Sequence, residues 1–147
     1  MSHIQESTLI KDVYIAKQIP MISRTMRYGE LKEIFSKSVN DCFPVCDESG
    51  EIIGCINWHQ ARPIFFEPGL ESLLVAQDFM TTPPATLRPD DSLYEALMKI
   101  LNSEQREILI VNAANPTQVL GILSHEDLMH AYNREILRRK TGIKLER

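Results

Sequence analysis

Hydrophobic and polar positions follow the same order in two stretches of the chain. In the first, YGELKEIFSKS places Leu31, Ile34, Phe35 and Ser38 on one helical face, and a turn separates the apolar runs CFPVC and EIIGCIN that follow. In the second, PDDSLYEALMKIL places its apolar residues on one face, before EILIV, a turn and VLGILS. Each stretch predicts a strand, a helix, two further strands and a second helix.

The two stretches correspond position by position. A unit of about 60 residues is too small to cover both faces of its own sheet, and repeats of this kind bury the open face on a neighbour. We therefore predict an α/β (α+β) fold in which two β-α-β-β-α repeats pack sheet to sheet with pseudo-twofold symmetry. The aligned positions are Asp12 with Asp78, Leu31 with Leu93, Val45 with Val111, and Gly54 with Gly121.

The pattern divides the chain into five segments. Pro68 and Gly69 interrupt the apolar pattern after the first repeat and mark the start of a linker. The predicted segments are an N-terminal tail (1–8), repeat 1 (9–67), the linker (68–76), repeat 2 (77–135), and a basic helix end with its tail (136–147).

A polar pair marks the start of the second helix in each repeat. Ser124 and Asp127 are three residues apart, and Asn57 and Gln60 have the same spacing in repeat 1. Ser-x-x-Asp and Asn-x-x-Gln both suit a helix cap, which alone explains the spacing. The alternative is a ligand site. A helix N-terminus favours phosphate, and one carboxylate can accept hydrogen bonds from both hydroxyls of a ribose, whereas an amide has a single acceptor oxygen.

Charge argues against general nucleic-acid binding, because the net charge is −4 and such binders are usually basic. The charge is uneven, however. Residues 134–147 carry six basic side chains against two acidic ones, a net charge of +4, so the first 133 residues carry −8. Cations at a helix C-terminus complement the helix dipole. The alternative is a basic surface that faces a membrane or a phosphate group.

The sequence contains no catalytic motif, and we predict that the protein is not an enzyme. G-x-S-x-G, Walker and H-E-x-x-H patterns are all missing from it. Cys42, Cys46, Cys55 and His59 could together bind a metal, but there is no C-x-x-C pair, and small buried thiols are the favoured interpretation. MSHIQESTLIKD lacks the features of a signal peptide, and no apolar run is long enough to span a bilayer, so we expect a cytoplasmic location.

The sequence resembles a known protein family. The pattern DFMTTPPATLRPDDSLYEALMKIL…ILIVN…VLGILSHEDL resembles a CBS (cystathionine β-synthase) domain, and the first half resembles a looser second copy. The tandem pair, over residues 9–135, is similar to a Bateman module. SLLVAQDFM and DLMHAYNREILRR also resemble the cytosolic C-terminal regulatory region of ClC-type chloride channels and transporters.

The resemblance implies an adenine-nucleotide ligand (AMP, ADP or ATP) in a cleft between the repeats, with no cofactor required. It places Arg106 where some relatives contact phosphate; the alternative is an exposed arginine paired with Glu104 or Glu107. The predicted nucleotide site comprises Ser124, Asp127, Gln18, Ile19, Pro20, Asn40, Asp41, Cys42 and Phe43. The predicted second, degenerate cleft comprises Asn57, Gln60, Thr82, Pro83, Arg106, Glu107 and Ile108.

Two functions follow from the resemblance. The first is a regulatory nucleotide sensor that forms a homodimer and belongs to a membrane chloride channel or transporter, which would place the module at the cytoplasmic face of the membrane. The second is a stand-alone dimerisation or interaction module that binds no nucleotide and in which Ser-x-x-Asp is only a cap.

Overall fold

The computed structural model describes residues 8–14, 16–82, 85–103 and 106–141. It divides into two compact units, which we call the N-terminal unit (Ile19–Pro84) and the C-terminal unit (Met1–Gln18 with Ala85–Arg147). Each unit contains a three-stranded sheet and two α-helices.

The N-terminal unit has the predicted order of elements. Strand β1 is parallel to β2, β2 is antiparallel to β3, and the sheet order is β1-β2-β3. Leu31 and Phe35 form the buried face of the first helix, as the apolar spacing predicts. The elements are β1 (Ile22–Ser23), α1 (Tyr28–Lys37), β2 (Cys42–Cys46), β3 (Ile52–Asn57) and α2 (Trp58–Phe65).

The C-terminal unit repeats this order. Its sheet order is β4-β5-β6, with β4 parallel to β5 and β5 antiparallel to β6. Ser92 caps the first helix through a complete capping box with Glu95, which explains why the helix begins at Leu93. The predicted fold class is therefore confirmed. The elements are β4 (Thr86–Leu87), α3 (Leu93–Leu101), β5 (Glu107–Val111), β6 (Val119–Ser124) and α4 (His125–Thr141).

The cores of the two units differ in composition. In the N-terminal unit the ring of Phe65 stacks on Tyr28, with centroids 4.3 Å apart, and lies edge-on to Phe35 and Trp58 at 5.4 and 5.3 Å. The core of the C-terminal unit is aliphatic, with leucine, isoleucine and alanine side chains from α3, β5, β6 and α4. The same backbone order is thus filled by two different kinds of side chain.

Each unit also contains the segment that precedes the other repeat. The 3-10 helix Ile10–Asp12 packs in the C-terminal unit, where Ile10 is fully buried and its N–H donates to the Asp91 carbonyl at 2.9 Å. The 3-10 helix Ala76–Asp78 packs in the N-terminal unit, where the Ala76 N–H donates to the Met26 carbonyl at 2.9 Å. The chain therefore passes back and forth between two folding units.

The turn between β2 and β3 is organised by Asp47. Its Oδ1 accepts hydrogen bonds from the Ser49 hydroxyl at 2.7 Å, the Ser49 N–H at 2.9 Å and the Glu51 N–H at 3.1 Å. The pKa of Asp47 is lowered, mainly because its carboxylate accepts the hydrogen bond from the Ser49 hydroxyl. Gly50 completes the turn at a φ of 87°, a conformation that favours glycine.

Candidate functional site

The junction of β6 and α4 carries the first polar pair. The Asp127 N–H donates to Ser124 Oγ at 3.0 Å, and the Ser124 N–H donates to Asp127 Oδ2 at 3.2 Å. These two bonds form a complete capping box, so the cap interpretation is confirmed here. The cap also fixes the carboxylate at the first turn of a 17-residue helix.

The equivalent junction of β3 and α2 has only half of this arrangement. The Gln60 N–H donates to Asn57 Oδ1 at 3.2 Å, so Asn57 caps the helix. The Gln60 side chain makes no return hydrogen bond to Asn57 in the part of the chain that the structure describes. Both junctions keep the cap, and only the one in the C-terminal unit has a carboxylate in it.

Asp127 has acceptor capacity beyond its role in the cap. Its side chain is exposed, and within residues 8–14, 16–82, 85–103 and 106–141 only Oδ2 is engaged in a hydrogen bond. Oδ1 therefore remains available to an external donor. Ser124 is half-buried at the end of the strand. The positive end of the helix dipole lies at this junction and favours an anion beside it.

The hairpin of β5 and β6 brings Arg106 and Glu107 to the same end of the sheet. Glu107 pairs with Ser124 in the antiparallel register, and the His125 N–H donates to the Arg106 carbonyl at 3.0 Å. Arg106 is exposed, whereas Ile108 is fully buried in the core of this unit. The sequence prediction grouped these three residues with Asn57 and Gln60; in the C-terminal unit the backbones of Arg106 and Glu107 lie beside Ser124.

The N-terminal unit repeats this local arrangement. Cys42 pairs with Asn57 in the register of β2 and β3, and the Trp58 N–H donates to the Asp41 carbonyl at 2.8 Å. Cys42 and Phe43 are buried, Asn40 is half-buried, and Asp41 is exposed. Of this predicted group, Asp41 is therefore the one with an exposed side chain.

The remaining predicted residues lie in the segments that precede the repeats. Gln18 is exposed and belongs to the C-terminal unit, whereas Ile19 is buried and Pro20 half-buried in the N-terminal unit. Thr82 is exposed, and its carbonyl lies 3.8 Å from the Cys55 Sγ, which places it along β3. Pro83 lies outside the described residues. The predicted nucleotide set thus draws its members from both units.

The second repeat has a recognisable family signature. Residues 75–134 match the family model of the CBS domain. This range includes Ser124 and Asp127. CBS domains are regulatory modules rather than catalytic ones. No curated protein matches the chain.

Solved CBS structures share the fold. CBSX2, an Arabidopsis thaliana CBS-pair protein, in complex with AMP is 18% identical at a TM-score of 0.65, over 91% of this chain and 99% of that one. The CBS domain of a bacterial CNNM/CorC family Mg²⁺ transporter in complex with ATP is 14% identical at 0.69, over 88% and 89%. A CBS domain-containing protein from Bacillus anthracis str. Ames Ancestor is 19% identical at 0.69, over 89% and 96%. The family model thus covers the second repeat, and the solved structures show that the chain shares the fold of CBS-domain proteins.

The cysteines form no metal site in the described ranges. No group of three or more His, Cys, Asp or Glu side chains there could hold a metal ion. Cys42 and Cys55 are buried thiols, as the sequence predicts, and Cys46 is half-buried. Among the described residues, no helix has both the length and the apolar composition that crossing a bilayer requires.

Replacing Ser124 with alanine is expected to destabilise the protein by about 1 kcal/mol, since loss of an N-cap hydroxyl typically has this effect. Urea unfolding would measure the change. Ser36→Ala is the matched control, because among the described residues the Ser36 hydroxyl donates only to the Glu33 carbonyl, on the exposed side of α1. An equal loss of stability in both variants would contradict the capping role of Ser124.

Proposed function

We propose that this CBS pair is a regulatory module that binds an adenine nucleotide at the N-terminus of α4, through Ser124 and Asp127. The observation that carries the proposal is the hydrogen bonding and the exposure of the Asp127 side chain. One carboxylate oxygen is held by the Ser124 N–H, the other accepts no hydrogen bond from the described residues, and the side chain is exposed. The related folds solved with AMP and with ATP support the choice of ligand.

The carboxylate suits a ribose. The two adjacent hydroxyls of a ribose are donors, and hydrogen bonds to an ionised acceptor are about twice as strong as neutral ones. The capping bond from Ser124 restricts the rotation of Asp127, so less conformational entropy is lost when a ligand binds. Asp127 is therefore the residue to which we assign the ribose.

The phosphate would lie nearer to the helix end and to Arg106. N–H groups at a helix N-terminus favour an anion. The Arg106 backbone is held beside this end by the hydrogen bond from the His125 N–H at 3.0 Å. The Arg106 guanidinium is exposed and forms no ion pair with another described residue. The resemblance groups Arg106 with Asn57 and Gln60; we propose instead that it contacts a phosphate oxygen of the nucleotide at Ser124 and Asp127. Gln18, Ile19, Pro20, Asn40, Asp41, Cys42 and Phe43 stay predictions from the resemblance.

The junction in the N-terminal unit is the weaker candidate. Gln60 offers one acceptor oxygen and no charge where Asp127 offers a carboxylate. Loss of one charge-assisted bond costs about 1.5–3 kcal/mol, which is about a tenfold to hundredfold loss of affinity. We therefore propose one working site and one degenerate site.

Replacing Asp127 with asparagine is expected to abolish nucleotide binding or weaken it at least about tenfold. Isothermal titration calorimetry with AMP, ADP, ATP and S-adenosylmethionine would measure the binding. Asparagine can keep an acceptor oxygen for the cap, so the fold should be retained.

Gln60→Ala is the matched control, because it changes the same position of the other repeat. It should leave nucleotide affinity nearly unchanged. The reverse result would assign the ligand to the N-terminal unit. If the folded, ligand-free protein gives no heat with any of the four ligands, the alternative stands: a dimerisation or interaction module in which the capping box has only a structural role.

Regulation needs a ligand that binds one conformation better than another. We propose that the module belongs to a ClC-type chloride channel or transporter and lies on the cytoplasmic side of the membrane. The channel or transporter would respond to the change of conformation that the ligand favours. This part of the proposal rests on the resemblance of SLLVAQDFM and DLMHAYNREILRR, whereas one of the related folds comes from a Mg²⁺ transporter. Sequencing the native transcript tests it. Transmembrane segments upstream of Met1 in the same reading frame are expected, and an in-frame stop codon directly upstream would contradict it.

A further inference from the structure

Helix α4 continues beyond the point where the equivalent helix of the other repeat ends. When Asn57 is aligned with Ser124, the end of α2 at Phe65 falls at Tyr132. Helix α4 nevertheless extends to Thr141. Residues 133–141, which we call the α4 extension, therefore have no helical counterpart in the N-terminal unit. The fold of a single repeat does not require them.

The α4 extension leaves the core of the C-terminal unit and presents an apolar side chain to water. Leu128 and Ala131 lie before the extension and are 0% and 2% exposed in that core, whereas Leu137 is 51% exposed. Leu137 follows Leu128 by nine residues, which is about two and a half helical turns, so the two side chains lie on opposite sides of α4. Leu137 therefore faces outward.

Positive charges flank this exposed leucine. Arg134 and Lys140 lie three residues before and after Leu137 and so neighbour it along one side of the helix. Glu135, the one acidic residue of the α4 extension, is already paired with Arg138, whose Nη2 lies 2.8 Å from Glu135 Oε2. Arg134 and Lys140 form no ion pair with another described residue. The outward side of the extension is therefore an apolar residue between two cations.

The helix dipole accounts for only part of this arrangement. Arg138, Arg139 and Lys140 lie in the last turn of α4, where cations complement the negative end of the dipole. Arg134 precedes that turn, and the effect of the dipole falls off within one turn. The dipole also gives no reason for an outward leucine. Cations beside an outward apolar side chain are typical of a helix that lies on a membrane surface.

We propose that the α4 extension docks on a bilayer surface that contains anionic lipids. Arg134 and Lys140 contact the lipid phosphates, and Leu137 enters the boundary between headgroups and acyl chains. The phosphate backbone of a nucleic acid would match the cations but would not bury the leucine. The first 133 residues carry a net charge of −8 and are repelled by an anionic surface, which restricts docking to this end of the chain. This inference does not depend on the nucleotide site.

Cosedimentation of the full chain with lipid vesicles tests the proposal. The protein should bind vesicles of equal parts phosphatidylserine and phosphatidylcholine, bind them less as sodium chloride is raised, and not bind pure phosphatidylcholine vesicles. Arg134→Gln combined with Lys140→Gln should weaken binding about thirtyfold, because each cation near an anionic surface strengthens it about fivefold. No binding to the anionic vesicles, or equal binding to both kinds of vesicle, would overturn the proposal.

Lys32→Gln combined with Lys37→Gln is the matched control. It also removes two positive charges from exposed positions of one helix, and Lys37 lies in the last turn of α1. This variant should bind the anionic vesicles as the unchanged protein does. A loss equal to that of the Arg134 and Lys140 variant would show that net charge rather than the α4 extension determines binding, and would reject the proposal.

Leu137→Ala tests the apolar part of the contact. Alanine retains the helix, and binding to the anionic vesicles should weaken at least about fourfold, the effect of one methylene group that no longer enters the bilayer. Double-stranded DNA at the same phosphate concentration tests the other polyanion. The protein should bind it more weakly than the vesicles. Unchanged vesicle binding by Leu137→Ala, or binding to DNA as tight as to the vesicles, would contradict docking on lipid.

Discussion

Replacing Phe65 with alanine is expected to lower the free energy of unfolding by about 3–5 kcal/mol, the usual cost of deleting a large buried aromatic ring. Phe65 is 1% exposed, and its ring contacts those of Tyr28, Phe35 and Trp58. Its removal would leave a cavity lined by these three rings. Urea unfolding followed by tryptophan fluorescence would measure the loss, because Trp58 is the one tryptophan of the chain.

Phe66→Ala is the control for this prediction. Phe66 is the next residue in the sequence and has the same ring, but its side chain is 57% exposed. We expect a smaller loss, of about 1 kcal/mol, because more than half of its surface stays in contact with water and its ring contacts are edge-on to Trp58 and Phe65. If both variants lost equal stability, the aromatic core would not depend on Phe65 in the way that the ring contacts indicate.

Replacing Gly54 with alanine is expected to destabilise the protein by about 1–3 kcal/mol, as overpacking does in a filled site. A Cβ at this position would lie 2.5 Å from the Thr81 carbonyl oxygen and 2.9 Å from Met80 Sδ. The Thr81 oxygen cannot move away freely, because Thr81 and Cys55 exchange backbone hydrogen bonds of 2.8 and 3.4 Å. A shift of the midpoint of thermal unfolding would report the strain.

Gly29→Ala separates this crowding from the general effect of the extra methyl group. Gly29 lies in α1, and a Cβ there would meet nothing within 4 Å. Alanine is the better helix former, so this variant should be equally stable or more stable by up to about 1 kcal/mol. A loss of stability at Gly29 as large as that at Gly54 would show that steric contact is not the cause.

Local features of this protein could be predicted from its sequence because their causes lie within a few residues. The buried face of α1 follows from the spacing of Leu31 and Phe35, and the caps at Ser92 and Ser124 follow from an acid three residues further on. These contacts span at most four positions of the chain. The order of strands and helices in each unit, which follows from the same patterns, is confirmed.

Contacts between residues that are distant in the sequence could not be predicted from local patterns. Ile10 packs in one core with Leu93, which lies about 80 residues away in the other repeat, and no pattern of neighbouring residues predicts that contact. The position of Arg106 beside Ser124 could have been predicted from the sequence. Once β5 and β6 are recognised as a hairpin, pairing Ile110 with Gly121 and counting outward from the turn places Glu107 opposite Ser124.

The two 3-10 helices, Ile10–Asp12 and Ala76–Asp78, each pack in the unit that contains the other repeat, and this affects what cleavage of the chain would produce. A single cut in the linker, for example after Glu71, leaves a first fragment that keeps Ile10 and a second that keeps Ala76. Ile10 is needed by the unit that contains the second fragment, and Ala76 by the unit that contains the first. Proteolytic nicking there should therefore give two pieces that copurify without a covalent link. Either piece expressed alone would lack part of its own core.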